Sequence, residues 1–165
     1  MSNTSAGKSD TMVQSKKTIL FVCSGNTCRS PMAKVILENK LKGMAKLGQF
    51  TVQSAACYTP TYTEASFYAR EAIKTLYGHD LLAAHKPKSL TPELTEKADL
   101  ILVMTRAMKY SLPPAKTYSV KEYGGGSGDI MDPFDGDFNC YLECAKELSE
   151  AVDKVVVRLL KTKSH

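Results

Sequence analysis

The sequence predicts an α/β protein, a three-layer α/β/α sandwich around a four-stranded parallel sheet. Three observations point there. Short apolar runs alternate with segments of helical periodicity along the chain. Those runs lack the polar alternation of a strand with one face in water, so both sheet faces are covered. And 165 residues, 43% hydrophobic and 24% charged, suffice for one globular domain with a real core.

The elements follow in order. "TILFVC" (18–23) reads as a buried strand, uniformly apolar and rich in β-branched residues. Ser30 then Pro31 mark a helix start, a capping hydroxyl followed by proline at the first helical position. Met32, Val35, Ile36, Leu37, Leu41 and Met44 give that helix a broad apolar stripe, and Gly48 ends it. "FTVQSAA" (50–56) is the second strand. A helix over 63–77 opens at Thr63, with Glu64 and Ser66 in its first turn, and stops at Gly78. "LTPELTEKA" is a short helix capped by Thr91 with Pro92 at its start. "DLILVM" (99–104) is the third strand, "TRAMKYSL" a short helix and "KTYSV" (116–120) the fourth strand. A glycine-rich loop, "EYGGGSGDIMDPFDGD", leads to a final helix from Phe138 to Lys161. The alternation is Rossmann-like, and in such folds ligands sit outside the carboxyl ends of the strands.

Composition excludes several classes. The net charge of +5 is dispersed: Lys8, Lys16 and Lys17 against Asp10, with Lys161 and Lys163 at the far end, leave +1 for the body. No basic cluster with interleaved aromatics suggests a nucleic-acid partner. No apolar run approaches the ~20 residues that span a bilayer. The N-terminal stretch lacks the apolar centre of a signal peptide, so a cytoplasmic protein is expected, with residues 1–16 a disordered tail. The five cysteines form no regular framework and are read as free thiols. Cys23 and Cys28 find no Cys or His pair to complete four zinc ligands, and His79, His85 and His165 do not group with them. Cys140 and Cys144, four apart on the last helix, read as packing residues. "DPFDGDFNCYLE" spaces Asp132 and Glu143 like a calcium loop, but Phe134 and Asp137 occupy positions that such a loop cannot use that way. No metal or cofactor is implied.

The chemistry concentrates in "VCSGNTCRSP", Val22 to Pro31. A loop between a strand and a helix N-terminus offers backbone N–H groups to an anion, aided by the helix dipole. Gly25 is expected to let the loop turn tightly with its amides inward. Arg29 adds a planar cationic fork able to hold two phosphate oxygens. Cys23, at the strand's end, lies at the base of the same cradle, where these groups favour its thiolate. Such a thiolate can attack phosphorus to give a cysteinyl-phosphate. The equatorial charge is then met by the loop amides and Arg29. Ser30 can donate a hydrogen bond to the departing thiolate.

A Cys-x5-Arg spacing alone is weak, but the full C-x-G-N-x-C-R-S-P between a strand and a helix is specific. From residue 17 to 161 the chain resembles the low-molecular-weight protein tyrosine phosphatases, and within them most nearly the protein-arginine phosphatase branch. The resemblance implies a single phosphatase domain over 17–163, monomeric, acting on phosphorylated proteins. Cys23, Arg29 and Asp132 would be catalytic, and Ser24, Gly25, Asn26, Thr27, Cys28 and Ser30 would form the phosphate-binding loop. Asp132 of "DPF" would be the general acid and then base, on a segment stiffened by Pro133. Asn26, Ser30, Ser54 and His85 would form a supporting hydrogen-bond network. "SAAC" departs from the family's Ser-Ala-Gly or Thr-Ala-Gly.

Substrate choice is expected to turn on Thr27, Phe134 and Asp135. The tyrosine-specific members usually carry an apolar residue at the position of Thr27, whereas the arginine-phosphatase branch resembles this chain in its threonine. A guanidinium suits the acceptors of Asp132, the ring face of Phe134 and the charge of Asp135. Phosphoarginine in proteins is therefore the expected substrate, with phosphotyrosine as the alternative. An arsenate reductase would need further relay cysteines between residues 80 and 110, where there are none. A non-catalytic phosphate-binding module would lack the thiol or the acid. Cys28, five residues from Cys23, is expected to capture the oxidised nucleophile as a reversible disulfide.

Overall fold

The computed structural model of the protein describes residues 15–163. The expected tail, 1–16, thus lies outside the described residues except for Ser15 and Lys16. Four parallel strands, β1 (Lys17–Cys23), β2 (Phe50–Ala56), β3 (Leu100–Val103) and β4 (Thr117–Ser119), lie in the order β2-β1-β3-β4. The chain steps from β1 outward to β2, then returns past β1 to β3. The reversal falls between β1 and β3, so the loops after these strands open onto one crevice.

Both faces of the sheet are apolar because successive side chains point to opposite sides. Ile19, Phe21 and Cys23 of β1 join a core with Leu100 and Leu102 of β3. The same core takes in α1 (Arg29–Gly43), α2 (Phe67–Tyr77) and α5 (Phe138–Lys163). Leu20 and Val22 point the other way, to a smaller core with Ala55, Ile101 and Val103 beneath Leu94 of α3 (Pro92–Lys97). Each of these fully buried aliphatic side chains contributes ~1.5–3 kcal/mol. The helix α5 packs against α1, α2 and α4 (Val120–Tyr123). No described helix is long and apolar enough to cross a membrane.

Several boundaries differ from expectation, each for a local reason. The first helix stops at Gly43, not Gly48. Ala45 adopts the left-handed conformation (φ 57°), with Lys46 N donating to Leu41 O (2.8 Å) and Ala45 N to Lys42 O (3.0 Å). This is a Schellman motif with alanine where glycine is usual. Met44 consequently leaves the apolar stripe and is exposed, and Gly48 lies in a 3-10 turn, Leu47–Gln49. The second helix begins at Phe67 rather than Thr63, because Ser66 supplies the cap, its hydroxyl accepting from Ala69 N at 3.2 Å. Gly78 (φ 81°) ends it as expected. "TRAMKYSL" yields a single 3-10 turn, Arg106–Lys109. The fourth strand is cut to three residues by a capping box: Glu122 N donates to Ser119 Oγ (3.1 Å) and Ser119 N to Glu122 Oε1 (2.8 Å), starting α4.

Candidate active site

The cradle is built where β1 ends and α1 begins. Cys23, 2% exposed, closes the strand, and Arg29 is the first helical residue. Helix α1 starts without a side-chain cap. Ser30 is not the cap its sequence position suggested; its hydroxyl lies 2.9 Å from the Cys23 sulfur, and its N–H donates to that sulfur at 3.4 Å. The Ser30 hydroxyl and N–H thus both stand at one sulfur, placed to donate to it when it carries charge in a reaction.

The turn between them is governed by Asn26 rather than Gly25. Asn26 is fully buried with φ 58°, a conformation that asparagine tolerates better than most residues. Gly25 has ordinary dihedrals, and a Cβ there would meet only Thr27 Oγ1 at 3.8 Å. Asn26 Nδ2 donates to Ser30 Oγ (2.8 Å) and Ser54 Oγ (3.0 Å), and its Oδ1 accepts from Lys88 N (3.0 Å). His85 Nε2 lies 2.8 Å from the Asn26 carbonyl oxygen. Burial lowers the His85 pKa, and Lys34 and Lys88 add to the effect against that hydrogen bond, so the neutral imidazole donates its Nε2–H. The second strand supports the loop from the side: Cys57 N donates to Cys23 O (2.9 Å) and Tyr58 N to Ser24 O (3.1 Å). Ala56 pairs in regular register with Cys23, so "SAAC" continues the strand without a glycine.

Arg29 is 3% exposed. Its Nη1 donates to Ile130 O (2.9 Å) and Nη2 to Ser24 Oγ (3.1 Å), while Nη2 lies 3.5 Å from Asp132 Oδ2. Its buried Nε has no acceptor among the described residues. A buried cation with one distant, half-exposed counter-charge is costly, and an anion in the cradle offsets that cost. Ile130 also sets the acid: its N–H donates to Met104 O, just past the end of β3, at 2.8 Å, so the segment bearing Asp132 is fixed to β3 and to Arg29 together.

The tip of that segment is a turn closed by Gly136 N to Pro133 O (2.8 Å), with Asp135 left-handed at φ 70°. A Cβ on Gly136 would fall 2.7 Å from the Cys140 side chain, so the turn requires glycine. A pocket of ≈ 280 Å³ results, lined by Cys23, Ser24, Gly25, Thr27, Cys28, Arg29, Asp132 and Phe134 together with Tyr58, Thr59, Thr61 and Tyr62. Thr27 and Phe134 therefore line the same pocket. Asp135, expected beside them, lines instead an adjoining recess, shared with Asp132 and Phe134, that also holds Glu143 and Glu147. No motif marks Tyr58 and Tyr62 as pocket residues, but they follow β2, which pairs with β1, and so lie at the same edge.

Cys28 is buried and its thiol donates to Asp132 Oδ1 at 3.7 Å. Burial, followed by the neighbouring Cys23 and Asp132, holds it far above the ordinary thiol range, so it stays protonated. Cys144, buried under Met131, is pushed up to about 12, chiefly by burial. Cys140 is exposed, so the pair is only half a packing feature. Among the described residues no cluster of His, Cys, Asp and Glu could hold a metal ion.

Comparison with known proteins agrees with this geometry. Residues 18–165 match the family described as low molecular weight phosphotyrosine protein phosphatase. A protein-arginine-phosphatase of Geobacillus stearothermophilus is 37% identical over 148 residues, covering 86% of this chain and 95% of that protein. A low molecular weight protein tyrosine phosphatase from T. tengcongensis superposes with a TM-score of 0.79 at 36% identity, covering 87% of this chain and 99% of its own. A YwlE arginine phosphatase variant, described as carrying a phosphorylated active-site serine, gives 0.76 at 33% identity, with 87% and 96% covered. The chain belongs to the low molecular weight phosphotyrosine protein phosphatase family.

Proposed function

We propose that residues 17–163 form one catalytic domain that hydrolyses phosphorylated side chains of proteins through a cysteinyl-phosphate on Cys23, with phosphoarginine the preferred substrate. The observation that carries the reading is the convergence of the Cys23 sulfur, the buried Arg29 fork and Asp132 on one pocket. In the first step the sulfur attacks phosphorus, the S–P bond forms and the bond to the leaving atom breaks as Asp132 gives that atom a proton. In the second, Asp132 takes a proton from water, the water oxygen bonds to phosphorus and the S–P bond breaks. Ser30 Oγ and N–H then receive the thiolate. The loop N–H groups and Arg29 meet the charge in both steps.

Preference for phosphoarginine is supported by Thr27, Phe134 and Asp132 lining one pocket. The branched threonine narrows the slot that an aromatic ring would need. A guanidinium can lie against the Phe134 ring and present its N–H groups to Asp132. Asp135 acts here by shaping the turn and by its charge on the loop, not by contact. Phosphotyrosine is the second reading, favoured by the aromatic wall of Tyr58 and Tyr62. Matched peptides carrying phosphoarginine or phosphotyrosine decide between them: kcat/KM is expected to be higher for phosphoarginine, and Thr27→Ile to shift the ratio toward phosphotyrosine by about tenfold or more. A wild-type preference for phosphotyrosine refutes the assignment.

A further inference from the structure

Next to the catalytic pocket lies a second recess, ≈ 480 Å³, whose walls include Tyr62, Ala65, Phe67 and Phe134, with Thr27 and Arg70. Thr27, Tyr62 and Phe134 line both cavities, so the two form one continuous surface. Its aromatic side chains face water: Phe67 is 68% exposed, Tyr62 59% and Phe134 57%. Clustered exposed rings of this kind mark a surface that is covered in function.

The recess is preformed. Ser66 N donates to the carbonyl of Thr27 at 2.9 Å, fixing the start of α2 to the anion loop itself. Arg70 Nε and Nη2 both donate to Asp80 Oδ2 (3.0 and 2.7 Å), and Nη1 reaches Glu64 at 3.5 Å. Phe67 stands on the first turn of α2 with its ring 5.8 Å from Tyr68, whose own ring packs on Tyr141 of α5 at 5.6 Å. The charged groups on this wall, Glu64 and Arg70, are engaged with one another, which leaves the recess to apolar contact.

We propose that this recess is the subsite for an apolar side chain of the substrate protein, one or two residues from the phosphorylated one. The assignment rests on the phosphatase reading above. When a phosphate bonded to a protein side chain sits over Cys23, the polypeptide must cross the rim made by Thr27, Tyr62 and Phe134. An extended chain advances ~3.5 Å per residue, so the next side chains fall beyond that rim, where the recess begins. The aromatic wall then takes apolar area out of water. Because this contact is made equally in ground and transition states, it acts on KM.

The test uses peptides with a single phosphorylated residue, in parallel phosphoarginine and phosphotyrosine sets. The flanks are Gly and Ser only, or carry one Leu or Phe at each position from two before to two after. A chromogenic aryl phosphate serves as the flank-free probe. With the wild-type chain, one apolar position is expected to raise kcat/KM by about tenfold, through KM. Phe67→Ala and Phe67→Asp should erase that gain and leave aryl phosphate turnover unchanged. Equal kcat/KM across the flanks, or a preference that survives both Phe67 variants, overturns the proposal. If the wild type hydrolyses neither the peptides nor the aryl phosphate, the phosphatase reading falls and this one with it.

Discussion

Asn26→Ala tests whether the anion loop is held open by side-chain hydrogen bonds. The wild-type side chain bonds Ser30, Ser54 and the Lys88 N–H. Ser30 keeps the Cys23 sulfur as a partner at 2.9 Å, so the loss falls on Ser54, 2% exposed, and on Lys88 N. A buried polar group left unpaired costs about 1–3 kcal/mol, and alanine at φ 58° adds about 1 kcal/mol. Lys88 is exposed and can turn its N–H to water, so the sum is about 2–4 kcal/mol, and since each kcal/mol moves the Tm of a domain this size by ~2–4 °C, a fall of ~10 °C is expected. Turnover of an aryl phosphate should drop at least tenfold, because Ser30 and the loop amides lose their alignment. Asn26→Gly separates the causes: it removes the backbone strain but adds unfolded-chain entropy of ~0.4–1 kcal/mol. The two variants should therefore melt within a few degrees of each other. Near-complete recovery of Tm and turnover in Asn26→Gly would refute the reasoning and leave only the backbone term.

Two further substitutions address single steps. Ser30→Ala removes a hydrogen bond to a charged sulfur, worth about 1.5–3 kcal/mol, so kcat should fall ~10–100-fold with breakdown of the cysteinyl-phosphate rate-limiting. Rapid mixing should show a burst of the aryl alcohol, and a linear trace without one contradicts the role. Cys28→Ser addresses oxidation by peroxide: Cys23 becomes a sulfenic acid, the Cys28 sulfur displaces its hydroxyl, the S–S bond forms and water leaves. Since Cys28 is held protonated, capture needs a base, and Asp132 Oδ1 stands 3.7 Å away. The wild type should regain activity with a dithiol reductant while Cys28→Ser does not; equal recovery ends the idea.

The sheet and the anion loop were legible in the sequence because both are written locally. Ile19 to Val22 can only be a strand buried on two faces, and cysteine, arginine and proline at fixed offsets after it define the cradle. Element ends were less legible where one residue stood in for another. Ala45 does the work of a terminal glycine, and Ser66 takes the capping role from Thr63. The Ser119–Glu122 capping box is spelled in "SVKE", but the apolar strand that runs into it masks the signal. Long-range geometry was not legible. Nothing in "DPFDG" tells that Phe134 lines the catalytic pocket while Asp135 does not; the tip of the turn is set by a left-handed dihedral at Asp135 and a close approach of Gly136 to Cys140.

The same geometry divides the site into two parts with different tolerances. Cys23, Asn26, Arg29, Ser30 and Ser54 are buried and bonded to one another or to strand ends, so a change at any of them disturbs a buried polar group. Tyr58, Tyr62, Phe67 and Phe134 stand in water on a frame held by backbone and ion-pair contacts, so replacing them costs little stability. On the proposed reading, phosphate chemistry is thus tied to the fold, whereas the choice of phosphorylated side chain and of its neighbours falls to residues on the loops. Thr27 alone belongs to both parts. Its carbonyl anchors α2 through Ser66, while its side chain lines the two cavities. Because the anchor is backbone, the side chain is free to vary, and the proposed reading predicts that a single substitution there changes the substrate preference without lowering the Tm.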